Sequence, residues 1–268
     1  MKSYQLLEWG KPLQQVLSAT PRPIGRQVLL RVTACGVCHS DVHLREGMYD
    51  LGRAGRATFA DAGFKLPLAL GHEIVGVVAD AGPQANVVQG ESRVVFPWIG
   101  CGDCRHCLRG QEIDCEAPKS LGIRSHGGYS THVLVPDERY TIPHTGIDAE
   151  VAASAACSGV TAYAALKKLP ACTAQDTVVL LGAGGLGLAA LALVRHVTPA
   201  KVVLADIDAA KLAAARDCAD ATVNTSDPQS ILHLRELAGG GVTAVIDFVG
   251  VPATFNWALQ GLRRGGSL

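Results

Sequence analysis

The stretch CGVCHSDVH, residues 35–43, places two cysteines, two histidines, one serine and one aspartate within nine positions. Thiolates and imidazoles bind metal ions, hydroxyl and imidazole groups carry protons, and carboxylates accept hydrogen bonds. The chain as a whole is only 5% aromatic and 18% charged. This local concentration of reactive side chains therefore indicates a functional segment rather than a structural loop.

A second cluster of potential ligands, four cysteines, lies downstream in the stretch CGDCRHCLRGQEIDC. Its spacing is Cys101-x2-Cys104-x2-Cys107-x7-Cys115. Four thiolates at such short spacing suit a closed tetrahedral zinc site, which has no open position and is therefore structural. An iron–sulfur cluster also uses four cysteines, but the loop-like setting and the rest of the chain favour zinc.

Three further candidate ligands are dispersed along the chain. They are Cys38 in the first stretch, His72 in GHE and Cys157 in ACSGVTAY. Two thiolates and one imidazole would leave a fourth position for water or substrate, which is the arrangement of a catalytic zinc. Sequence separation alone does not join these three residues, so an ordinary buried cysteine or histidine is the open alternative.

A glycine-rich turn, Gly182-x-Gly184-x-x-Gly187, follows the apolar run TVVLLG and opens a helical segment. The next apolar run, KVVLAD, ends in Asp206. In a dinucleotide fold such glycines let the backbone approach a pyrophosphate, and the acid accepts hydrogen bonds from the adenosine ribose. Because a carboxylate repels a 2′-phosphate, Asp206 favours NAD over NADP. The alternative is a glycine turn in a generic α/β protein with an incidental aspartate.

The elements that must position these residues differ along the chain. Residues 1–145 are short apolar runs broken by Gly and Pro, which predict an irregular, mostly antiparallel β-domain. From about residue 150, Ala-rich helical segments alternate with continuous apolar strands, which predict a parallel sheet covered on both faces. We therefore predict domains at 1–148 and 149–268, with residues 48–67 as a surface excursion.

Bulk composition narrows the class of protein. The 268 residues carry 24 basic and 24 acidic side chains, a net charge of +0, which argues against nucleic acid or an anionic membrane as the main partner. We expect no stretch to approach the roughly 18 apolar residues of a membrane span. The N-terminus lacks the apolar core of a secretory signal, and nine cysteines without such a signal suggest a reducing compartment. A cytoplasmic location follows as an expectation.

Taken together, these motifs resemble the zinc-dependent alcohol dehydrogenases of the medium-chain dehydrogenase/reductase superfamily, over essentially the whole chain. The specific motifs are GVCHSDVH, GHEIVGVV, the four-cysteine run, CSGVTAY and GAGGLG. The resemblance implies an α/β plus β fold. A GroES-like catalytic domain is followed by a Rossmann doubly wound parallel sheet, and the family's active site lies in the cleft between them.

The resemblance also implies roles for individual residues. Cys38, His72 and Cys157 match the catalytic zinc ligands, while the four clustered cysteines match the structural zinc lobe. Ser40 and His43 match a proton relay that runs from the alcohol through the cofactor ribose to solvent.

Other matches concern the surroundings of the metal and the cofactor. Asp41 and Glu73 match acids that support the metal site. Trp98 resembles an aromatic residue of the substrate pocket, although its spacing to Cys101 is shorter than usual. The implied cofactor residues are His39 beside the pyrophosphate, Thr161 near the nicotinamide, and Gly182, Gly184, Gly185, Gly187, Asp206 and Lys211.

The implied activity is reversible oxidation of a primary or secondary alcohol to an aldehyde or ketone, with two Zn²⁺ per chain and hydride transfer to NAD. The implied partners are a small alcohol, aldehyde or ketone, with no nucleic acid and no membrane. A homo-oligomer, dimer or tetramer, is implied for the full-length form. A non-catalytic zinc-binding or interaction protein that keeps the fold is the main alternative, and a zinc-ribbon nucleic-acid binder is disfavoured by the neutral charge.

Several single assignments have a structural alternative. Ser40 could be a turn or helix cap, His43 a solvated surface histidine, Asp41 an N-cap and Trp98 a core residue.

The chain stops at LRRGGSL, where the family continues into further strands. We therefore expect four complete Rossmann strands, a fifth cut as it begins with an open sheet edge beside the fourth, and a truncated version of a longer enzyme with weak or absent catalysis.

Overall fold

A computed structural model describes residues 1–268, with the exception of the Arg53 side chain. The chain divides into two units, Met1–Cys157 and Ser158–Leu268, and each is described by itself.

The first unit is built mainly from antiparallel strands. Its five-stranded sheet has the order β10-β8-β7-β3-β9, a three-stranded sheet has the order β2-β1-β6, and β4 pairs with β5. The elements are β1 (Lys2–Leu6), β2 (Gln14–Leu17), β3 (Val28–Gly36), α1 (His39–Glu46), β4 (Met48–Asp50), β5 (Arg56–Thr58), β6 (Leu68–Ala69), β7 (Glu73–Ala81), β8 (Ser92–Val95), β9 (His132–Val135), β10 (Thr141–Pro143), α2 (Ala149–Ser154) and a π-helical turn (Ala155–Gly159).

Both faces of the five-stranded sheet are covered. One face contributes alternate residues of β3 and β7, such as Leu30 and Ile74, to a core closed by the other strands. The opposite face carries Val75 and Val94 against the alanines of α2. Small alanine side chains let the helix approach the sheet closely, and the π-helical turn follows directly at Ala155.

The segment 48–67 forms a surface hairpin, as the mixed composition predicts. Tyr49 and Leu51 are exposed, but Phe59 and neighbouring apolar residues are anchored in a small core. Tyr49 packs edge-on against Phe59, with ring centroids 4.8 Å apart. The hairpin is therefore attached to the unit through its aromatic residues.

The second unit is a parallel sheet between helices. The strand order is β13-β12-β11-β14-β15, and every neighbouring pair is parallel. The central strand is buried on both faces, with Leu180 in one core and Val179 in the other. The elements are α3 (Val160–Leu166), β11 (Thr177–Leu181), α4 (Gly185–Leu193), β12 (Lys201–Asp206), α5 (Ala209–Ala214), β13 (Ala221–Asn224), α6 (Ser230–Leu237), β14 (Val242–Asp247), α7 (Pro252–Gly261) and β15 (Leu262–Ser267).

The fifth strand corrects one expectation. We expected an open sheet edge beside the fourth strand, but β15 pairs with β14 over Leu262–Ser267. Its register is irregular, because Val242 pairs with Leu262 and Ala244 with Ser267. Backbone hydrogen bonds need no apolar side chain, so a run as polar as LRRGGS can still occupy the edge.

A second correction concerns the helical run. α2, the π-helical turn and α3 form one run, Ala149–Leu166, of 18 residues with hydropathy 1.2. By length and composition alone it could cross a membrane, contrary to the expectation that no stretch approaches this length. Its buried residues pack in hydrophobic cores, Ala152 and Ala156 in the first unit and Ala162 and Leu166 in the second. The run by itself therefore does not indicate a membrane protein.

Candidate active site

Two antiparallel strands bring the first two candidate metal ligands together. β3 ends at Gly36 and β7 begins at Glu73, and these residues are paired across the ladder. Cys38 follows the end of β3, and His72 immediately precedes β7. Because the end of one antiparallel strand pairs with the start of its neighbour, both residues lie at the same end of this strand pair.

Asp41 ties these two segments to each other. Its Oδ2 accepts the backbone N–H of Cys38 at 2.9 Å, and its Oδ1 accepts the N–H of Gly71 at 3.0 Å. The first bond reaches back from the third residue of α1 to its N-cap, which fixes the first turn of the helix. Oδ1 also lies 3.5 Å from Nδ1 of His72, whose side chain is fully buried. One carboxylate thus orients both candidate ligands.

Cys157 completes the cluster from the π-helical turn. Its Sγ lies 3.8 Å from Sγ of Cys38. One ligand atom from each of Cys38, His72, Glu73 and Cys157 lies within 4.8 Å of the other three. The sequence indicated Glu73 only as a supporting acid, whereas the structure brings its carboxylate into the ligand cluster itself. Single π-helical turns are often found at functional sites.

The four side chains shift one another's protonation. The contact with Cys157 lowers the pKa of Cys38 to about 3, with help from His72 and Ser40, and raises the pKa of Cys157 far above its usual range. Burial disfavours the charged form of His72, but Asp41 and Cys38 outweigh it and raise the pKa of the imidazole to about 9. Burial and the negative charge of Cys38 raise the pKa of Glu73. The metal-free cluster therefore pairs a thiolate with an imidazolium.

The geometry of this cluster fits a tetrahedral zinc ion. Two sulfur atoms about 2.3 Å from one ion lie about 3.8 Å apart at the tetrahedral angle, which matches the separation of 3.8 Å between Cys38 and Cys157. A disulfide would need about 2 Å. Both ring nitrogens of His72 are buried and lack a hydrogen-bond partner among the described residues. Since Nδ1 faces Asp41, Nε2 is left for a metal.

The four clustered cysteines form a second candidate metal centre. Their ligand atoms all lie within 4.8 Å of one another, with 3.9 Å between the sulfurs of Cys101 and Cys107 and 3.8 Å between those of Cys104 and Cys115. The backbone N–H of Cys101 donates to the Cys115 sulfur at 3.2 Å. These separations also match a tetrahedral zinc with four sulfur ligands.

The predicted relay residues lie on α1. Ser40 and His43 are three positions apart, so their side chains lie on the same side of the helix. The ring of His43 packs between those of His39 and Tyr49, with centroid distances of 4.7 Å and 4.9 Å. The hairpin 48–67 thus contributes Tyr49 to the surroundings of His43, a contact that no sequence motif indicates.

Two further residues shape the metal cluster. A Cβ at Gly36 would meet Oε2 of Glu73 at 2.0 Å, so only glycine leaves room for this carboxylate. Trp98, predicted in the substrate pocket, donates its indole N–H to the carbonyl of Ala156 at 3.0 Å. Its ring lies 5.7 Å from that of His72. Sequence reasoning missed Gly36, although its place between the two cysteines of CGVC was a signal.

The glycine turn in the second unit has the backbone that a dinucleotide requires. Gly182 has φ +103°, which a larger residue adopts only with strain. A Cβ at Gly187 would meet the carbonyl oxygen of Gly182 at 1.7 Å, whereas a Cβ at Gly184 has nothing within 4 Å. α4 begins at Gly185, so its N-terminal N–H groups open toward this free space.

Asp206 stands at the end of β12 beside this turn. Its Oδ2 accepts the N–H of Ala183 at 2.6 Å, and its Oδ1 accepts that of Asp208 at 2.8 Å. Burial opposes ionisation, but these two donors and the charge of Lys211 outweigh it and lower the pKa of Asp206. The side chain is therefore an anion held against the glycine turn.

Thr161 is exposed on α3.

Comparison with known proteins assigns the chain to a family. A family model described as alcohol dehydrogenase GroES-like domain matches residues 25–145, and one described as zinc-binding dehydrogenase matches residues 185–268. An NAD-dependent alcohol dehydrogenase of Sulfurisphaera tokodaii is 38% identical over 250 residues, covering 92% of this chain and 71% of the relative. Its counterpart in Saccharolobus solfataricus is 36% identical over 269 residues, covering 99% and 76%.

Solved structures agree with these relatives. The alcohol dehydrogenase of the archaeon Aeropyrum pernix superposes with a TM-score of 0.82 at 31% identity, covering 99% of this chain and 77% of that one. A second crystal structure, of an NAD-dependent alcohol dehydrogenase, gives a TM-score of 0.86 at 27% identity, with coverage of 99% and 76%. The chain thus spans about three quarters of the length of these proteins.

Proposed function

Because the chain belongs to the zinc-dependent alcohol dehydrogenases of the medium-chain dehydrogenase/reductase superfamily, we propose that Cys38, His72 and Cys157 hold its catalytic zinc. The family reaction is NAD-linked oxidation of alcohols, with small alcohols or carbonyl compounds as substrates. The observation that carries the assignment is the pair of sulfurs 3.8 Å apart beside a buried imidazole whose nitrogens have no partner among the described residues.

Zinc supplies a Lewis acid that favours loss of the alcohol proton, and NAD supplies the hydride acceptor. The side chains of the protein orient the alcohol and remove its proton. Ser40 accepts the alcohol proton at its Oγ as its own hydroxyl proton moves on toward His43, and the imidazole of His43 passes a proton to solvent. His43 suits this role because it is half-buried and an imidazole can accept a hydrogen bond at one ring nitrogen and donate one at the other.

The cofactor is held by the second unit. Gly182, Gly184, Gly185 and Gly187 accommodate the pyrophosphate. Asp206 accepts hydrogen bonds from the adenosine ribose, while its charge disfavours a 2′-phosphate. His39, Thr161 and Lys211 are further cofactor contacts in this proposal, and Trp98 borders the substrate.

The four-cysteine centre holds the second zinc in a structural role, since four sulfur ligands leave no position for substrate. Asp41 and Glu73 support the catalytic metal. We further propose domains at 1–148 and 149–268, a cytoplasmic location and a homodimer or homotetramer.

Metal counting combined with turnover tests the proposal. The purified chain should hold two zinc ions and form NADH from NAD at a low rate when supplied with members of a panel of primary and secondary alcohols. Cys38→Ala and His72→Ala should each hold one zinc and lose turnover, while Cys104→Ala should lose the other zinc. A Cys38→Ala protein with two zincs and a parental rate would contradict the ligand assignment. One tightly held zinc without turnover in the parent chain would favour a zinc-binding protein without catalysis.

A further inference from the structure

Trp98 contacts the surroundings of two candidate zinc ligands. Its indole Nε1 donates a 3.0 Å hydrogen bond to the carbonyl of Ala156, which immediately precedes Cys157. Its ring centroid lies 5.7 Å from that of His72, with the planes tilted by 58°. One side chain therefore connects the segment after β8 to both the buried imidazole and the backbone that carries a thiol.

The carbonyl that Trp98 binds belongs to the π-helical turn Ala155–Gly159. An α-helical carbonyl accepts from the N–H four residues ahead, and a π-helical turn widens this to five residues, a geometry that is rare. A donor from outside the helix that binds a carbonyl within the turn favours the wider form. Relaxation to a regular α-helix would shift the register by one residue, which is about 100° around the helix axis. The thiol of Cys157 would then turn away from Cys38.

We propose that Trp98 is a positioning residue for the catalytic metal. Its N–H fixes the π-helical turn so that the Cys157 sulfur faces that of Cys38, and its ring limits the movement of His72. The inference rests on the proposed function, because it takes Cys157 and His72 as zinc ligands. Asp41 anchors the Cys38 side of the cluster, and Trp98 anchors the Cys157 side. A residue that only lined a substrate pocket would alter KM and leave metal affinity unchanged.

Trp98→Phe in the full chain tests this role, since it keeps a ring beside His72 and removes the N–H. Trp257, in the second unit, offers a matched control. Its Nε1 donates to the Ser230 hydroxyl at 3.0 Å in a buried setting, so Trp257→Phe removes an indole hydrogen bond of the same length elsewhere. Zinc affinity is measured for both centres by competition with a chelator. Cobalt(II) spectra are then recorded with zinc in the four-cysteine centre and cobalt in the other.

Replacement of a residue that orients a metal ligand without binding the metal typically weakens metal affinity by about 10- to 100-fold. We expect Trp98→Phe to weaken one zinc by about 10-fold or more, to leave the four-cysteine zinc unchanged and to alter the cobalt–thiolate charge-transfer band. Trp257→Phe should match the parent in all three measurements. Parental zinc affinity and cobalt spectrum in Trp98→Phe would overturn the proposal, as would equal weakening of both zincs, which indicates a general structural role.

Two further variants complete the test. If Trp98→Phe gives no soluble protein, site-specific 3-benzothienylalanine, in which sulfur replaces the indole N–H, removes the same bond without a change of shape. Cys157→Ser separates the two hypotheses. If it keeps two zincs at parental affinity, the proposed catalytic site is wrong. If it loses one zinc while Trp98→Phe behaves as the parent, only the role of Trp98 is wrong.

Discussion

The Nδ1 atom of His72 lies 3.5 Å from the Oδ1 atom of Asp41, and both side chains are buried. The position of Asp41 does not depend on this contact, because its carboxylate also accepts the backbone N–H groups of Cys38 and Gly71. The imidazole is therefore oriented by a carboxylate that two strand ends hold in place. Such an arrangement fixes which ring nitrogen is free to bind a metal.

Asp41→Asn should weaken zinc at the Cys38–His72–Cys157 centre by about 10- to 100-fold. The amide keeps one acceptor atom but loses the charge that favours the metal-ligating orientation of His72. Zinc dissociation constants measured by chelator competition check this. The control is Asp208→Asn, which removes a carboxylate that caps α5 through the N–H of Ala210. A parental zinc dissociation constant in Asp41→Asn would contradict the role of Asp41.

Zinc binding at this centre should release protons. Near pH 7.5 the metal-free cluster holds Cys38 as a thiolate, because its pKa is lowered to about 3. His72 keeps its proton, since its pKa is raised to about 9, and so does Cys157, whose pKa is raised. Zinc binds neutral imidazole and thiolate, so about two protons must leave.

The sign of the pH dependence follows from the same shifts. Protons compete with zinc wherever His72 is protonated, so zinc affinity should rise with pH, and the His72 contribution should level off above about 9. Calorimetry in two buffers of different ionisation enthalpy, with the four-cysteine centre already loaded, counts the protons. Cys157→Ser should release about one proton fewer. Heats that do not depend on the buffer would show the prediction to be wrong.

Local patterns made much of this fold predictable. The continuous apolar runs TVVLLG and KVVLAD correspond to β11 and β12, because strands buried on both faces need apolar residues at every position. The four-cysteine spacing sufficed for a metal prediction, because all four residues lie within one short loop. The grouping of Cys38, His72 and Cys157 came only from the family resemblance, since it depends on the register between β3 and β7.

Other features have no local signature. β15 is polar and pairs through its backbone, so hydrophobic periodicity could not locate its full extent. The π-helical turn has the same kind of composition as the α-helices around it. The hydrogen bond between Trp98 and Ala156 joins residues 58 positions apart, and only tertiary structure reveals it.

Two glycines of the cofactor turn should respond differently to alanine. At Gly187 a Cβ meets the Gly182 carbonyl at 1.7 Å, so Gly187→Ala should lower the free energy of unfolding by about 1–3 kcal/mol through overpacking. At Gly184 the Cβ meets nothing within 4 Å, and φ is −85°, so Gly184→Ala should fold normally. It should nevertheless weaken NADH, because the methyl group stands where the pyrophosphate approaches.

Denaturant unfolding and NADH fluorescence titration separate these effects. Gly184→Ala should show a parental unfolding midpoint with weaker NADH binding, while Gly187→Ala should show a lower midpoint. Parental NADH affinity in Gly184→Ala would mean that this turn is not the pyrophosphate site.

Replacement of Asp206 should change the preference between NAD and NADP. Asp206→Asn keeps an acceptor for the N–H of Ala183 or Asp208 but removes the charge, so binding of NADPH should improve while the glycine turn survives. Lys211, whose charge now acts on Asp206, would be left to attract the 2′-phosphate.

Asp206→Ala should also weaken NADH binding by about 10- to 100-fold, the usual contribution of a hydrogen bond to a charged group. Fluorescence titrations with NADH and NADPH measure both constants, and Asp208→Asn is the control for a neighbouring charge. If neither Asp206 variant changes the ratio of the two constants, Asp206 does not select the cofactor.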